Sequence, residues 1–129
     1  MTGSGLDRKA AKELLHIQLW LNRVDEIAER GKQAYLDDAL LQEAGDSLMM
    51  KLGEAANRLS KLNVLAAEGV EWALVVANRN FLIHQYDQIN RELTWLTLSR
   101  DLPSWKASLL GHFKASAAAV GEDETGPAR

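Results

Sequence analysis

Apolar residues recur three and four positions apart through most of this chain, and that period restricts it to helices. The longest such series accompanies a helix predicted over roughly Asp37 to Lys61, and its members are Leu41, Ala44, Leu48, Leu52, Ala55, Leu59 and Leu62. Side chains at this spacing share one face of an α-helix, whereas a strand needs strict alternation. No alternating segment stands out, and only two prolines interrupt 129 residues. The sequence therefore predicts an all-α fold, a bundle of four to five helices.

Glycines mark special positions in the first two predicted helices. The first helix runs from Asp7 to about Arg30, and Gly31 follows as a residue suited to the left-handed turn that ends many helices. Its apolar stripe is Leu14, Ile17, Leu21, Val24 and Ala28. The second helix contains Gly45 and Gly53, each of which costs about 1 kcal/mol of helix propensity relative to alanine. Two such glycines suggest a close contact between helices.

Three further helices are predicted in the C-terminal half. The third covers residues 70–86, and the fourth begins near Asn90 and stops before Asp101. Asp101 reads as the N-cap of a fifth, shorter helix because Pro103 would lie in its first turn. We expect that helix to end near Ala118.

The length of the chain fits one globular domain with a single core. The predicted organisation is a disordered N-terminus over residues 1–6, one helical domain over residues 7–118 and a disordered tail over residues 119–129. The last nine residues, GEDETGPAR, contain no apolar side chain able to anchor them.

Charge and composition exclude several classes of function. The net charge is −3, so a basic footprint across the whole chain is absent, and RNA would have to bind in a local groove. The chain has no cysteine, which rules out disulfides and thiolate metal sites. Because His16 and His112 have no partner at ligand spacing, we expect neither a metal nor a cofactor. The longest apolar run, WALVVA, is too short to cross a bilayer, so we expect a cytoplasmic protein with no membrane association.

The stretch RNFLIHQY combines an arginine, an amide, an imidazole and a phenol within two helical turns. On a helical projection of residues 72–86, Arg79 falls near the middle of the apolar stripe, while Asn80 and His84 share its edge. A guanidinium stays charged in proteins, so at such a position it needs an anionic partner or ligand. The combination is typical of a phosphate-handling site. Asp25, close to the stripe of the first helix, is the first candidate partner for Arg79.

Each of these residues also has a plain structural interpretation. Arg79 can extend from the stripe to reach water, and a histidine at a stripe edge such as His84 is usually a surface group. Asp25 reads more readily as a solvated acid than as a buried one. The residues alone therefore leave the chemistry open.

Four segments in order resemble the HepT-like family of the HEPN superfamily. They are GEAANRLS (residues 53–60), Trp72, RNFLIHQY and DLPSW (residues 101–105), and the resemblance covers roughly residues 10–110. It implies a HEPN-like helical bundle that forms a two-fold homodimer. It also implies an endoribonuclease, the toxin of a type VII-like toxin–antitoxin pair, whose substrate is an mRNA or a tRNA. The family motif falls on Arg79, Asn80, His84 and Tyr86.

The chemistry of RNA cleavage suits the first three of these residues. The ribose 2′-OH must lose a proton, the leaving 5′-oxygen must gain one, and the charged phosphorane must be stabilised. His84 can exchange protons near neutral pH, and Arg79 presents a planar set of donors that fits phosphate oxygens. Asn80 lies one turn before His84 and can orient its ring or hold the phosphate. Two copies across a dimer interface would double these groups.

The resemblance gives Tyr86 a regulatory role. It implies that an MntA-like nucleotidyltransferase antitoxin attaches AMP to this tyrosine and so shuts out RNA by charge and bulk. A tyrosine that simply closes the bundle is the plain alternative for Tyr86. Two alternatives remain for the whole chain: a non-catalytic partner that presents itself or a substrate to the nucleotidyltransferase, and a structural bundle whose motif is an interface network.

Overall fold

The part of the chain that the structure describes is helical nearly throughout. A computed structural model describes residues 8–61 and 89–124. The helices are α1 (Arg8–Glu29), α2 (Lys32–Asp37), α3 (Ala39–Lys61), α4 (Arg91–Leu96), a π-helical turn (Thr97–Asp101), α5 (Leu102–Ser108) and α6 (Leu110–Glu124). Residues 8–61 and 89–124 contain no strand, which confirms the all-α fold class. The third predicted helix, over residues 70–86, and the predicted disordered residues 1–6 lie outside the described residues.

Helix α1 packs against both α3 and α6 and buries one continuous apolar stripe. The buried residues of α1 are Ala10, Ala11, Leu14, Ile17, Leu21, Val24 and Ile27. The predicted stripe is therefore right except at its end, where Ile27 is buried and Ala28 is only half-buried. The helix ends at Glu29, and Gly31 has a φ of 90°. This left-handed conformation is one that residues with a Cβ rarely adopt, so the predicted glycine stop is confirmed.

A short extra helix precedes α3, where the sequence predicted a single helix beginning near Asp37. Helix α2 ends at Asp37, and Asp38 has extended backbone angles. The Asp38 carboxylate accepts hydrogen bonds from the backbone N–H groups of Leu40 at 2.8 Å and Leu41 at 3.4 Å. This aspartate therefore caps the start of α3 and separates it from α2.

Helix α3 buries most of the predicted stripe and makes the predicted close contact. Leu48, Leu52, Ala55 and Leu59 are buried. Ala44 is exposed, which corrects its assignment to the stripe, because the neighbouring Gly45 takes the inward position. A Cβ at Gly45 would lie 2.9 Å from a methyl group of Leu98. The suggested contact at Gly45 is thus confirmed, and Leu98 from the π turn makes it.

The predicted break before the fifth helix is wrong. Asp101 has helical backbone angles, and its side chain makes no capping hydrogen bond within the described part of the chain. The chain runs on from α4 through the π turn into α5, and the N–H of Leu102 donates to the carbonyl of Thr97. Pro103 has no N–H to donate and would crowd the preceding turn of a regular helix. A wider π turn directly before a proline accommodates both effects.

The real interruption in this part of the chain is at Leu109. Its backbone leaves the helical region, and α6 begins at Leu110. Helix α6 buries Phe113 and Ser116 against α1 and reaches Glu124. The predicted end at Ala118 is therefore too early, and residues 119–124 are helical where a disordered tail was predicted. The division into residues 1–6, 7–118 and 119–129 otherwise stays a prediction. None of the helices in the described part is long and apolar enough to cross a membrane.

Candidate functional site

The four residues predicted to carry the function lie outside the described part of the structure. Arg79, Asn80, His84 and Tyr86 belong to residues 62–88. The described structure gives the framework on either side in sequence: α3, which ends at Lys61, and the chain from Ile89 onward.

The start of α4, the first described helix after the motif, is capped by Asn90. Asn90 lies four residues after Tyr86, and its side-chain oxygen accepts from the N–H groups of Glu92 at 3.0 Å and Leu93 at 3.3 Å. The hydroxyl of Thr94 donates to the Asn90 carbonyl at 2.7 Å. The two bonds to the Asn90 side chain satisfy backbone N–H donors that a helix start would otherwise leave unpaired. The predicted helix start near Asn90 is confirmed.

The next residue, Arg91, ties the start of α4 to the interior of the bundle. Its two terminal nitrogens donate to the two carboxylate oxygens of Asp46 on α3, at 2.7 and 3.0 Å. The Asp46 side chain is 6% exposed and that of Arg91 is 24% exposed. One guanidinium nitrogen also lies 3.4 Å from the hydroxyl of the fully buried Tyr35. A fork that meets both oxygens fixes the orientation as well as the position of the two helices.

The electrostatics of this contact favour the charged arginine. The hydrogen bond to Asp46 raises the pKa of Arg91, and the hydrogen bond to Tyr35 adds to this, while partial burial opposes it. The ring of Trp95 packs against Tyr35, with ring centroids 5.6 Å apart. The Asp46–Arg91–Tyr35 network therefore anchors the segment that directly follows the motif.

The sequence reasoning did not identify this network, although one signal for it was present. Asp46 lies between Gly45 and Leu48, where an inward-facing series of small and apolar residues continues. A carboxylate at a buried position needs a cation. Its partner lies 45 residues away in sequence, beyond the reach of a helical pattern.

Asp25 has a described partner other than the one proposed for it. The Nζ atom of Lys106 on α5 donates to an Asp25 carboxylate oxygen at 2.5 Å. Both side chains are about one-third exposed, so the pair lies at the edge of the core between α1 and α5. A contact between Asp25 and Arg79 stays a prediction, since Arg79 lies outside the described residues.

Metal-ligand geometry is absent from the described framework. Within residues 8–61 and 89–124, no group of three or more histidine, aspartate or glutamate side chains could hold a metal ion.

Comparison with known proteins yields one family. The family model described as "Ribonuclease HepT-like" matches residues 17–109. This range contains RNFLIHQY, DLPSW and all three members of the Asp46–Arg91–Tyr35 network. No solved structure was found to match the chain.

Proposed function

The chain belongs to the HepT-like ribonuclease family, and on that premise we propose that it is a toxin that cuts RNA without a metal ion. The match over residues 17–109 carries this proposal, because it includes the whole segment that supplies an arginine, an amide and an imidazole. The fold class agrees, since HepT-like chains are helical bundles. The toxin would act in the cytoplasm on an mRNA or a tRNA.

The proposed reaction is a transesterification at phosphorus. The ribose 2′-oxygen attacks the adjacent phosphate as its proton passes to a base, and the 5′-oxygen leaves as it receives a proton. His84 is the residue suited to move these protons at neutral pH. Arg79 would hold the equatorial oxygens as charge builds on them, and Asn80 would orient the phosphate or the ring of His84.

One motif provides one cation and one proton-transfer group, whereas the reaction needs a base, an acid and charge stabilisation. A homodimer with two-fold symmetry brings two motifs to one groove, because a symmetric interface presents the same surface from both chains. We assign the active site to that shared groove. A shared groove requires each motif to be held in a fixed position. The Asp46–Arg91 contact is consistent with this requirement, because it fixes the chain five residues after Tyr86.

Control of the toxin would fall on Tyr86. A nucleotidyltransferase antitoxin would catalyse attack of the Tyr86 hydroxyl oxygen on the α-phosphorus of ATP. Pyrophosphate would leave and the phenolic proton would pass to solvent. The attached phosphate would repel an RNA backbone, and the adenosine would occupy the space that RNA needs.

The test is cleavage of total RNA by the purified chain, compared with His84→Ala, in the presence of a metal chelator. The ribonuclease function is supported if the wild type cuts RNA and His84→Ala does not. Expression of the wild type should also arrest growth, and His84→Ala should abolish this arrest. The alternative is a non-catalytic partner subunit. It would be identified if neither the wild type nor His84→Ala cut RNA while a nucleotidyltransferase encoded by a neighbouring gene transferred AMP to the chain.

A further inference from the structure

One side of the bundle carries a line of cations on two antiparallel helices. Helices α1 and α3 run in opposite directions, because Arg58 near the end of α3 pairs with Glu13 near the start of α1 at 2.6 Å. At the other end of the two helices, Ile27 and Leu48 line one groove. We call this surface the basic face; it consists of Lys9, Lys12, His16, Trp20 and Arg23 on α1 and of Lys51, Arg58 and Lys61 on α3.

The helical spacing places these residues side by side. The α1 members follow one another at intervals of three and four, so they share one side of that helix. On α3, Arg58 lies seven residues, or about two turns, after Lys51, and Lys61 follows three residues later, so these three also share one side of their helix. All six cations of the basic face are exposed. Lys9 and Arg23 are roughly 21 Å apart along α1, at a rise of about 1.5 Å per residue.

The positive charge of this surface is local and opposes that of the whole chain. Among the residues that the structure describes, the six cations of the basic face share this side of α1 and α3 with the carboxylates of Glu13, Glu26 and Glu54, whereas the complete chain has a net charge of −3. Glu13 and Glu26 hold Arg58 and Arg23 in place, at 2.6 and 2.8 Å. The hydrogen bond to Glu13 raises the pKa of Arg58. A surface that remains cationic after these pairs attracts polyanions.

Two grooves lie along this surface between the helices. The first, of about 440 Å³, is lined by Lys9, Lys12, Glu13, Arg58 and Lys61. The second, of about 350 Å³, is lined by Arg23, Glu26, Ile27, Ala44, Ser47, Leu48 and Lys51. Both provide aliphatic surface from lysine stems or apolar side chains, with charged groups around it. A flexible strand with regularly spaced negative charges fits such a surface better than a compact anion does.

An aromatic pair lies between the two grooves on α1. The rings of His16 and Trp20 stack with centroids 5.7 Å apart and planes 28° from parallel. His16 is exposed and Trp20 is half-buried. The exposed ring of His16, supported from below by Trp20 and flanked by cations, provides a stacking surface for a base, a combination that proteins use to bind single-stranded nucleic acid.

We infer that the basic face on α1 and α3 binds single-stranded RNA, with phosphates on the lysines and arginines and a base against His16. The identity of the polyanion rests on the proposed ribonuclease function; the location of the binding surface rests on the charges and rings described above. Such a surface would hold the substrate on either side of the cut and would itself perform no chemistry.

The test is the salt dependence of binding of a short fluorescein-labelled oligo(U), measured by fluorescence anisotropy in the His84→Ala background to prevent cleavage. Each phosphate contact to a single strand contributes about 0.7 to the slope of log affinity against log salt. Lys12→Gln with Lys61→Gln should therefore lower the slope by about 1.4. The control is Lys32→Gln with Lys114→Gln, which gives the same net charge away from the basic face and should leave the slope unchanged.

The aromatic pair predicts a separate effect. His16→Ala should weaken binding of oligo(U) by about fivefold or more through loss of stacking, with the slope unaltered. Circular dichroism should show that each variant keeps its helices. An unaltered slope in the Lys12, Lys61 variant, while the wild-type chain still cuts total RNA, would overturn this inference and leave the proposed function intact. Failure of the wild-type chain to cut or bind RNA would overturn the proposed function.

Discussion

Arg91 on α4 meets the buried carboxylate of Asp46 on α3 with both of its terminal nitrogens, at 2.7 and 3.0 Å, although the two residues are 45 positions apart in sequence. The arginine follows the proposed catalytic segment directly, and the aspartate lies in the middle of α3. This ion pair thus connects the chain beyond the motif to the core. Its geometry leads to the first prediction.

Arg91→Met should destabilise the fold strongly. The variant keeps an apolar stem at this position but leaves the Asp46 carboxylate buried without its cation, which costs about 3–5 kcal/mol. Urea unfolding followed by circular dichroism measures the change. The control is Arg23→Met, which removes an exposed pair with Glu26 and should cost no more than about 1 kcal/mol. Equal losses in the two variants would show that the Asp46–Arg91 pair is not a main support of α4.

Two helical glycines should respond in opposite directions to alanine. At Gly45 the new Cβ would lie 2.9 Å from Leu98, which is itself fully buried and has little room to move. Gly45→Ala should therefore cost about 1–3 kcal/mol through overpacking, less the gain in helix propensity. At Gly111 no described atom lies within 4 Å of the new Cβ.

Gly111→Ala is the matched control, and it should stabilise the protein by about 0.5–1 kcal/mol. Thermal unfolding of the two variants under one set of conditions measures both effects. If Gly45→Ala stabilised the protein, the side chain of Leu98 or the π turn would have to move away from the new Cβ at little cost in free energy.

The long helices were predictable from sequence because their apolar period reflects their own burial. The stripes of α1 and α3 came from spacing alone, and so did the glycine stop at Gly31. Helix α2 was not predicted, because six residues are too few to show an apolar period. The π turn was missed because Pro103 suggested a break, and the packing of Leu98 against Gly45 could not be inferred from local sequence.

The candidate site shows the same difference between what local sequence indicates and what depends on contacts distant in sequence. The motif residues were proposed because guanidinium, imidazole and amide groups within two turns suit phosphate chemistry and because the segments around them resemble the HepT-like family. The match over residues 17–109 supports that family. The contact of Asp46 with Arg91 could not be predicted, since nothing in either helix alone identifies a partner so distant in sequence. Arg79, Asn80, His84 and Tyr86 remain predictions about a segment that the structure does not describe.

Changing Arg79 should abolish RNA cleavage while the helical fold is kept. Removal of a group that stabilises charge in the transition state commonly costs on the order of 10²–10³ in rate. Arg79→Ala should show this loss, and Arg79→Lys should recover only part of it because an ammonium cannot form the planar two-point contact. Single-turnover cleavage of a defined RNA measures the rates. Wild-type rates in Arg79→Ala would remove this residue from the active site, and an unfolded variant would assign it a structural role.

The chain should be a dimer at micromolar concentration. The proposed reaction needs more proton-transfer and cationic groups than one copy of the motif contains, and a two-fold interface provides a second copy. Sedimentation equilibrium gives the mass directly, and cleavage rate per chain should fall on dilution through the dissociation range. A strictly monomeric chain that still cuts RNA would show that one motif is sufficient.

Tyr86 should control the activity without performing the chemistry. A phenol has an unperturbed pKa of about 10, which makes it a poor proton-transfer group at neutral pH. Tyr86→Phe removes only the hydroxyl, so most of the cleavage activity should remain. With the partner nucleotidyltransferase and ATP, intact mass should show added AMP on the wild type and none on Tyr86→Phe, and only the wild type should lose activity. Tyr35→Phe is the matched control, since that tyrosine is fully buried and should leave the modification unchanged. Added AMP on Tyr86→Phe, or equal silencing of that variant by the partner, would assign regulation to another residue or to binding alone.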